Sequence, residues 1–238
     1  MQLAVSRSST QLGYILGMSD RISHWDRLHE QQRFRPVYPS EHVVRFLMAS
    51  RSVFDGQSPP RFLDIGTGAG RHTKLAAELG FDAFGTDISF TGLHHARKRL
   101  HQSGFPARLA QASTLALPFR DRSFAVALSY GVFYYGTADE MKGAIAEMRR
   151  ILVPGGRALV IVRTTDDYRF GKGKQLGHNT FQLEIAETNE CGSIQHFLAA
   201  NDVPVYFADF SGLTFERTDT TFANRTGVNS DWLITGGT

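Results

Sequence analysis

Along the 238-residue chain the spacing of apolar positions switches several times between helical and strand periods, and each switch marks an element. After Pro39, Ser40 stands as an N-cap, and Val43, Val44, Phe46 and Leu47 lay an apolar stripe at helical spacing through about Ser50. "SVFDGQSPP" ends that helix. Residues 62–65 read as a short buried strand, a glycine turn follows, and Leu75, Ala76 and Leu79 mark one face of a helix closed by Gly80. "DAFGTD" predicts a second strand ending at Asp87, and Ser89 caps a helix that runs to about Ser103 with Gly104 as its stop. "ARLAQA" is a third strand and "FAVALS", residues 124–129, a fourth. Thr137 and Glu140 form a T-x-x-E capping box for a helix carrying Met141, Ile145, Met148 and Leu152 on its apolar face; it ends at the turn "VPGG", and "RALVIVRT" is the fifth strand.

Strands alternating with helices predict an α/β fold, a doubly wound and mostly parallel sheet with helices on both faces, because each helical crossover returns the chain in the same direction. Its ligand belongs beyond the carboxyl ends of the strands. Past residue 165 the pattern changes. "NTFQLEIAE" and "CGSIQHFLA" read as an inserted β-hairpin, while "LTFERTDTTF" and "SDWLITG" read as an antiparallel C-terminal strand pair that completes seven strands. Residues 1–17, polar and turn-prone, are expected to form a flexible extension; 18–238 make a single domain, with 166–200 as an insertion on the substrate side.

A hydrophobic content of 42% is enough for a buried core, and a net charge of +3 gives no strong electrostatic preference for a partner. The longest basic run, Arg97-Lys98-Arg99, reads as a solvated helix face, so no nucleic-acid partner is expected. The single cysteine, Cys191, excludes an internal disulfide and a Cys-rich metal site. His94, His95 and His101 share one helix without an i,i+4 pair of histidines or a carboxylate cluster, so no metal is expected either. No segment approaches the roughly 18 consecutive apolar residues of a membrane span, and a cytoplasmic location is expected.

The chemistry concentrates in "RFLDIGTGAGRHTK", residues 61–74, where Gly66, Gly68 and Gly70 follow a strand containing Asp64. Such a bare backbone can bring main-chain N–H groups against a ligand. The spacing G-x-G-x-G departs from the dinucleotide fingerprint G-x-G-x-x-G. Asp87, at a strand end, can accept from two ribose hydroxyls, a requirement shared with nicotinamide-binding folds.

Together with "GTDIS", "LALPFRDRSFAVALSYGVFYYG" and "EMRRILVPGGRALVI", this stretch resembles the class I S-adenosylmethionine-dependent methyltransferases over about residues 40–165. The resemblance implies that Gly66, Thr67, Gly68 and Gly70 lie against the methionine and ribose of the cofactor and that Asp64 helps hold its amino-acid end. It further implies Asp87 on the ribose, Ile88 on the adenine, Ser113 and Thr114 at the base edge, Ser129 and Tyr130 beside the sulfonium, and Tyr38 toward the carboxylate. Ser113 replaces the acid usual at its position, and Ala125 replaces an aspartate after Phe124. Those departures keep open a cofactor-binding protein without turnover.

The implied reaction is an in-line displacement that needs alignment and exclusion of water more than a dedicated base. Where a base is required, Tyr134, Tyr135, His178 and His196 are the candidates. The expected acceptor is a small molecule or glycan-like group. "SYGVFYYG" lacks the Asn/Asp-Pro-Pro-Tyr motif of amino methylation on nucleic acid, and no Pro-Cys pair supplies a cytosine-attacking thiolate. A nicotinamide-dependent oxidoreductase is the remaining alternative, disfavoured by the glycine spacing.

Overall fold

The computed structural model describes residues 9–54, 58–186 and 188–238. Its helices are α1 Ser9–Glu30, α2 Glu41–Val53, α3 Arg71–Glu78, α4 Phe90–Gln102, α5 Ala138–Ile151 and the short α6 Val203–Tyr206. The strands are β1 Arg61–Ile65, β2 Asp82–Asp87, β3 Arg108–Gln111, β4 Phe124–Tyr130, β5 Leu152–Arg163, β6 Gly173–Gly177, β7 Thr180–Leu183, β8 Ile194–His196, β9 Ser211–Phe222 and β10 Gly227–Gly237.

Seven strands form one sheet in the order β3-β2-β1-β4-β5-β10-β9. The first five are parallel, and β10 runs antiparallel between β5 and β9. Strand order reverses between β1 and β4, which opens a crevice at their carboxyl ends. Alternate strand residues enter opposite cores. Leu63 and Ala127 pack with Met141, Ile145 and Met148 of α5, whereas Phe62, Val126 and Leu128 pack with Val43 and Leu47 of α2 and Ala76 of α3.

The helix starts follow from local chemistry. Ser89 Oγ accepts from the Gly92 N–H at 2.9 Å, and both halves of the Thr137/Glu140 capping box form. Ser40 occupies the N-cap of α2 without a side-chain bond.

Three details differ from or extend the sequence reading. Helix α1 begins at Ser9 and runs through the boundary set at residue 17; of the expected extension, residues 1–8 lie outside the described residues. The expected inserted hairpin forms between β7 and β8, and β6 pairs with β7 to widen it into a three-stranded antiparallel sheet. "GKQLG" lacks apolar alternation since β6 is almost wholly exposed at the sheet edge, and Asn179 (φ 52) turns the chain back. "VPGG" also lies inside β5, where the register against β4 shifts between Phe124 and Val126.

Candidate cofactor and acceptor site

A cavity of about 610 Å³ opens at the carboxyl ends of β1, β2 and β4. Gly66, Gly68, Thr86, Asp87, Ile88, Ala112, Ser113, Thr114 and the segment 130–133 form its floor and walls. Its roof comes from two separate segments. Gly17, Asp20, Arg21, His24, Trp25, Arg27 and His29 belong to α1, whereas Gln182 and residues 191–194 belong to the insertion.

The glycine loop is bare for reasons that lie mainly within the protein. Gly66, Gly68 and Gly70 all have positive φ (78°, 51° and 78°), a region that L side chains adopt at a cost. A Cβ on Gly66 would collide with Val132, one on Gly68 would approach His29 Cε1 at 3.1 Å, and one on Gly70 would lie 2.8 Å from the Ala96 Cβ. The loop amides are also committed. Gly66 and Thr67 N–H donate to the Thr86 carbonyl at 2.7 and 2.8 Å, Gly70 N–H donates to the Thr67 carbonyl at 2.9 Å, and Gly68 N–H donates to Asp87 Oδ2 at 2.8 Å.

Asp87 Oδ1 accepts from the Ser89 N–H at 2.8 Å, so each carboxylate oxygen holds one main-chain partner and keeps a further lone pair toward the cavity. Burial pushes its pKa up, against the Ser89 N–H and the nearby His29. His29 is 6% exposed and its Nδ1 has no hydrogen-bond partner among the described residues. Burial lowers its pKa, opposed by the charges of Asp87 and Asp26. Asp26 ties α1 to α4, accepting from Ser89 Oγ at 2.7 Å and from Thr91 N–H at 2.9 Å.

Of the residues singled out in the sequence for cofactor contact, Gly66, Gly68, Asp87, Ile88, Ser113, Thr114 and Tyr130 line this cavity. The others do not. Asp64 is 1% exposed and accepts from Thr73 Oγ1 at 2.9 Å, while the Thr67 and Thr73 hydroxyls meet at 2.5 Å; both residues fasten the loop to α3. Gly70 is the N-cap of α3. Ser129 is fully buried, its Oγ without a hydrogen-bond partner among the described residues, and Tyr38 is 83% exposed outside the cavity. Ala125 packs against the core on the α2 and α3 side.

Among the base candidates, Tyr135 alone lines the cavity. Its hydroxyl donates to Glu190 Oε1 at 2.5 Å, its ring meets Trp25 edge-on at 4.7 Å, and burial holds its pKa well above the ordinary phenol value. Tyr134 is buried under Arg163, whose guanidinium lies 4.4 Å from the ring centre, and burial pushes its pKa up to about 12. His178 is exposed on the β6–β7 turn. His196 is 1% exposed, bonded to the Thr180 hydroxyl and the Tyr206 hydroxyl at 2.9 Å each, and burial lowers its pKa to about 4.

The structure adds groups that local patterns did not disclose. Glu190 accepts from Arg163 Nη2 at 2.7 Å and from Arg169 Nε at 2.6 Å, which clamps the 188–193 turn over the cavity mouth. That turn brings Cys191, distant in sequence from β4, to the cavity lining. His24 also lines the roof; burial and Arg27 lower its pKa while Glu190 opposes them. The cluster of aromatic and histidine residues in "HWDRLHE" is the only sequence signal for this role.

The donor set fits an adenosine cofactor whose remaining part carries no phosphate. Asp87 presents a carboxylate suited to two ribose hydroxyls, Ile88 an apolar surface for the base, and Ser113 and Thr114 hydroxyls for its edge. With the amides of Gly66, Thr67, Gly68 and Gly70 already bonded, a pyrophosphate finds none of these four donors free, so the loop suits a sulfonium cofactor better than a dinucleotide.

Comparison with known proteins agrees with this geometry. Residues 62–156 match the sequence model of a methyltransferase domain. The chain is 36% identical over 108 residues to a demethylmenaquinone methyltransferase of Thermus thermophilus, spanning 44% of this chain and 48% of that one. It is 29% identical over 208 residues to a mouse tRNA (carboxymethyluridine(34)-5-O)-methyltransferase, spanning 84% of this chain and 27% of that one. The chain thus spans about half the length, or less, of these curated relatives. Among solved structures, a methyltransferase of Methanosarcina mazei superposes with a TM-score of 0.65 at 20% identity, covering 76% of this chain and 93% of its own. The 1,6-didemethyltoxoflavin-N1-methyltransferase of Burkholderia thailandensis, crystallised with its acceptor and S-adenosylhomocysteine, superposes with a TM-score of 0.63 at 18% identity, covering 100% of this chain and 93% of its own. Residues 62–156 thus carry a methyltransferase domain, and the sheet order and glycine loop give the chain the fold of S-adenosylmethionine-dependent methyltransferases.

Proposed function

We propose that this chain transfers the methyl group of S-adenosylmethionine, by in-line displacement, to a compact acceptor enclosed beneath α1 and the insertion. The observation that carries this reading is the continuity of one cavity. Its adenosine half, built on Gly68, Asp87, Ile88 and Ser113, opens directly into a half roofed by Arg21, His24, Trp25 and residues 191–194. A volume of about 610 Å³ lies within the range of small-molecule and cofactor sites.

The bound cofactor supplies a methyl group already activated by its sulfonium. Asp87 holds the ribose hydroxyls, Ile88 covers the adenine, Ser113 and Thr114 meet its edge, and Tyr130 borders the methyl end. Tyr135 acts as a wall, since its proton is committed to Glu190. His24 is neutral near pH 7 because its pKa is lowered, and it carries no hydrogen bond among the described residues, so it can take a proton from an acceptor that arrives protonated. The insertion and α1 exclude water and hold the acceptor in line.

This architecture suits a small-molecule or glycan-like acceptor. Turnover is favoured over binding alone because Ala125 packs in the core, away from the cavity, and Ser113 still offers an acceptor to the base. No helix among the described residues is long and apolar enough to cross a membrane. A second reading, a single RNA nucleotide as the acceptor, is favoured by the tRNA methyltransferase among the relatives and by the charged surface described below.

Calorimetry with S-adenosylhomocysteine and NAD, followed by a screen for S-adenosylhomocysteine release across small-molecule, glycan and RNA acceptors, tests the proposal. Tighter binding of NAD would remove it. Cofactor binding without product from any acceptor class would favour the binding-only alternative.

A further inference from the structure

Five cations and the His95 imidazole collect on one face beside the cavity with no carboxylate among them. Arg33 and Arg35 lie in the segment after α1, Arg71 opens α3, and His95, Lys98 and Arg99 stand on α4. The fold brings them together. Arg35 Nη1 meets the His95 ring nitrogens at 2.8 and 3.1 Å, Arg99 Nη1 donates to the Pro36 carbonyl at 3.0 Å, and Arg71 Nη1 donates to the Tyr38 carbonyl at 3.1 Å.

Neither α4 nor the segment 31–38 contains an Asp or Glu. None of the five arginine and lysine side chains forms an ion pair among the described residues. Burial and the neighbouring charges of Arg71 and Arg35 depress the pKa of Arg99, the mark of like charges held close. The fold therefore maintains a repulsion that an external anion would relieve. Beside these cations the Tyr38 side chain is 83% exposed.

We infer that this face docks RNA, with its guanidinium groups on phosphates and Tyr38 stacked on an unpaired base. Arginine forks match phosphate oxygens, and an exposed aromatic ring is the usual platform for a single-stranded base. The face is open and spread over three elements, which suits a chain of phosphates better than one small anion. Its apolar content, Val37 with Tyr38, is too small to seat a bilayer.

The face also borders the cavity. Arg71 lies 4.9 Å from the ring centre of Tyr130, which lines the methyl end, and the charge of Arg35 reaches His29 in the roof. A docked strand passes the cavity mouth, and one nucleotide turned out of its stack is the unit the cavity admits. Entry of that nucleotide rests on the RNA reading of the acceptor; docking on the face does not.

The test measures fluorescence anisotropy of a labelled hairpin RNA with an unpaired loop, in excess S-adenosylhomocysteine, across a salt series. The double variant Arg33→Glu/Lys98→Glu should weaken binding at least about tenfold and lower the slope of log affinity against log salt by about 1.5, as two phosphate contacts are lost. Tyr38→Ala should weaken the loop RNA more than a fully paired duplex. Calorimetric affinity for S-adenosylhomocysteine should stay unchanged in both, which separates the effect from misfolding. RNA binding that is absent, unaffected by the variants, or matched by polyglutamate of equal charge would overturn the inference, as would tighter binding to phosphatidylglycerol vesicles. Docking with no S-adenosylhomocysteine release from any bound RNA would leave the face assigned and remove RNA as the acceptor.

Discussion

Arg21 and Glu140, 119 positions apart, meet in a two-point ion pair at 2.6 and 3.1 Å that fastens α1 to the first turn of α5. Glu140 also accepts from the Thr137 N–H at 2.7 Å, so one carboxylate closes the capping box and anchors the roof. Arg21→Ala removes the anchor and spares the box. Because both side chains are partly exposed, the expected loss is about 1 kcal/mol or less in urea unfolding, with earlier hydrogen exchange along α1. Unchanged α1 exchange would place the anchor elsewhere.

Gly66 tests whether the loop is bare for the ligand or for the protein. Gly66→Ala forces a side chain at φ 78° into Val132 and should cost about 2 to 4 kcal/mol. Adding Val132→Ala should recover most of that loss, leaving about 1 kcal/mol of backbone strain, as read by a double-mutant cycle in chemical denaturation. Failure of the second substitution to rescue the first would mean that the clash is not the cause.

Asp64 is pushed up to about 6 by burial, against the Thr73 and Thr67 hydroxyls and the charge of Arg71. The folded carboxyl holds its proton more tightly than the unfolded one. Its contribution to stability is therefore complete below the usual value of 3.8 and is lost as the pH rises through about 6. Asp64→Asn should thus gain on the native protein over that window, by at most about 3 kcal/mol at neutral pH. Parallel stability curves for the two proteins from pH 4 to 7 would contradict it.

Asp87→Asn keeps one side-chain acceptor and removes the charge. Affinity for S-adenosylhomocysteine should fall by about 1.5 to 3 kcal/mol in calorimetry, the range for hydrogen bonds to a charged group. Ser113→Asp should act in the opposite direction by about 1 kcal/mol, since an ionised acceptor binds the adenine amino group more strongly. Weaker cofactor binding by Ser113→Asp would show that the side chain does not face the base.

Glu190 holds two arginines, one of them the 7% exposed Arg163, and their charges keep its pKa below the ordinary carboxylate value despite burial. Glu190→Ala strands that guanidinium and should cost about 3 kcal/mol. Methyl transfer should fall further than cofactor affinity, because the turn over the acceptor half is released. Equal losses in both would assign the insertion to the cofactor instead.

Elements with local determinants were legible in the sequence. The Ser89 cap, the Thr137/Glu140 box and the buried apolar run of residues 62–65 each depend on neighbours within a few positions. The placement of Asp87 and Ser113 on the cavity wall was legible too, through their register in a known pattern. The roof was not. Helix α1 lacks an acidic first turn and carries a weak apolar stripe, and its position depends on partners as distant as Ser89 and Glu140. The same holds for Cys191, whose place in the cavity is set by the Glu190 clamp rather than by any pattern around it. His196 misled as a candidate base because a histidine bonded inside a small sheet has the same local sequence as one facing a ligand.

The roof segments 9–30 and 166–200 lie outside the glycine loop, Asp87 and the Ser113 pair. On the proposed function, substitutions there that spare Asp26 and His29 would change the choice of acceptor while the sheet and the Asp87 site stay as they are. Grafting the corresponding segments of another family member onto this sheet is therefore a direct route to new acceptors, provided that the partners of Arg21, Asp26 and Glu190 travel with them.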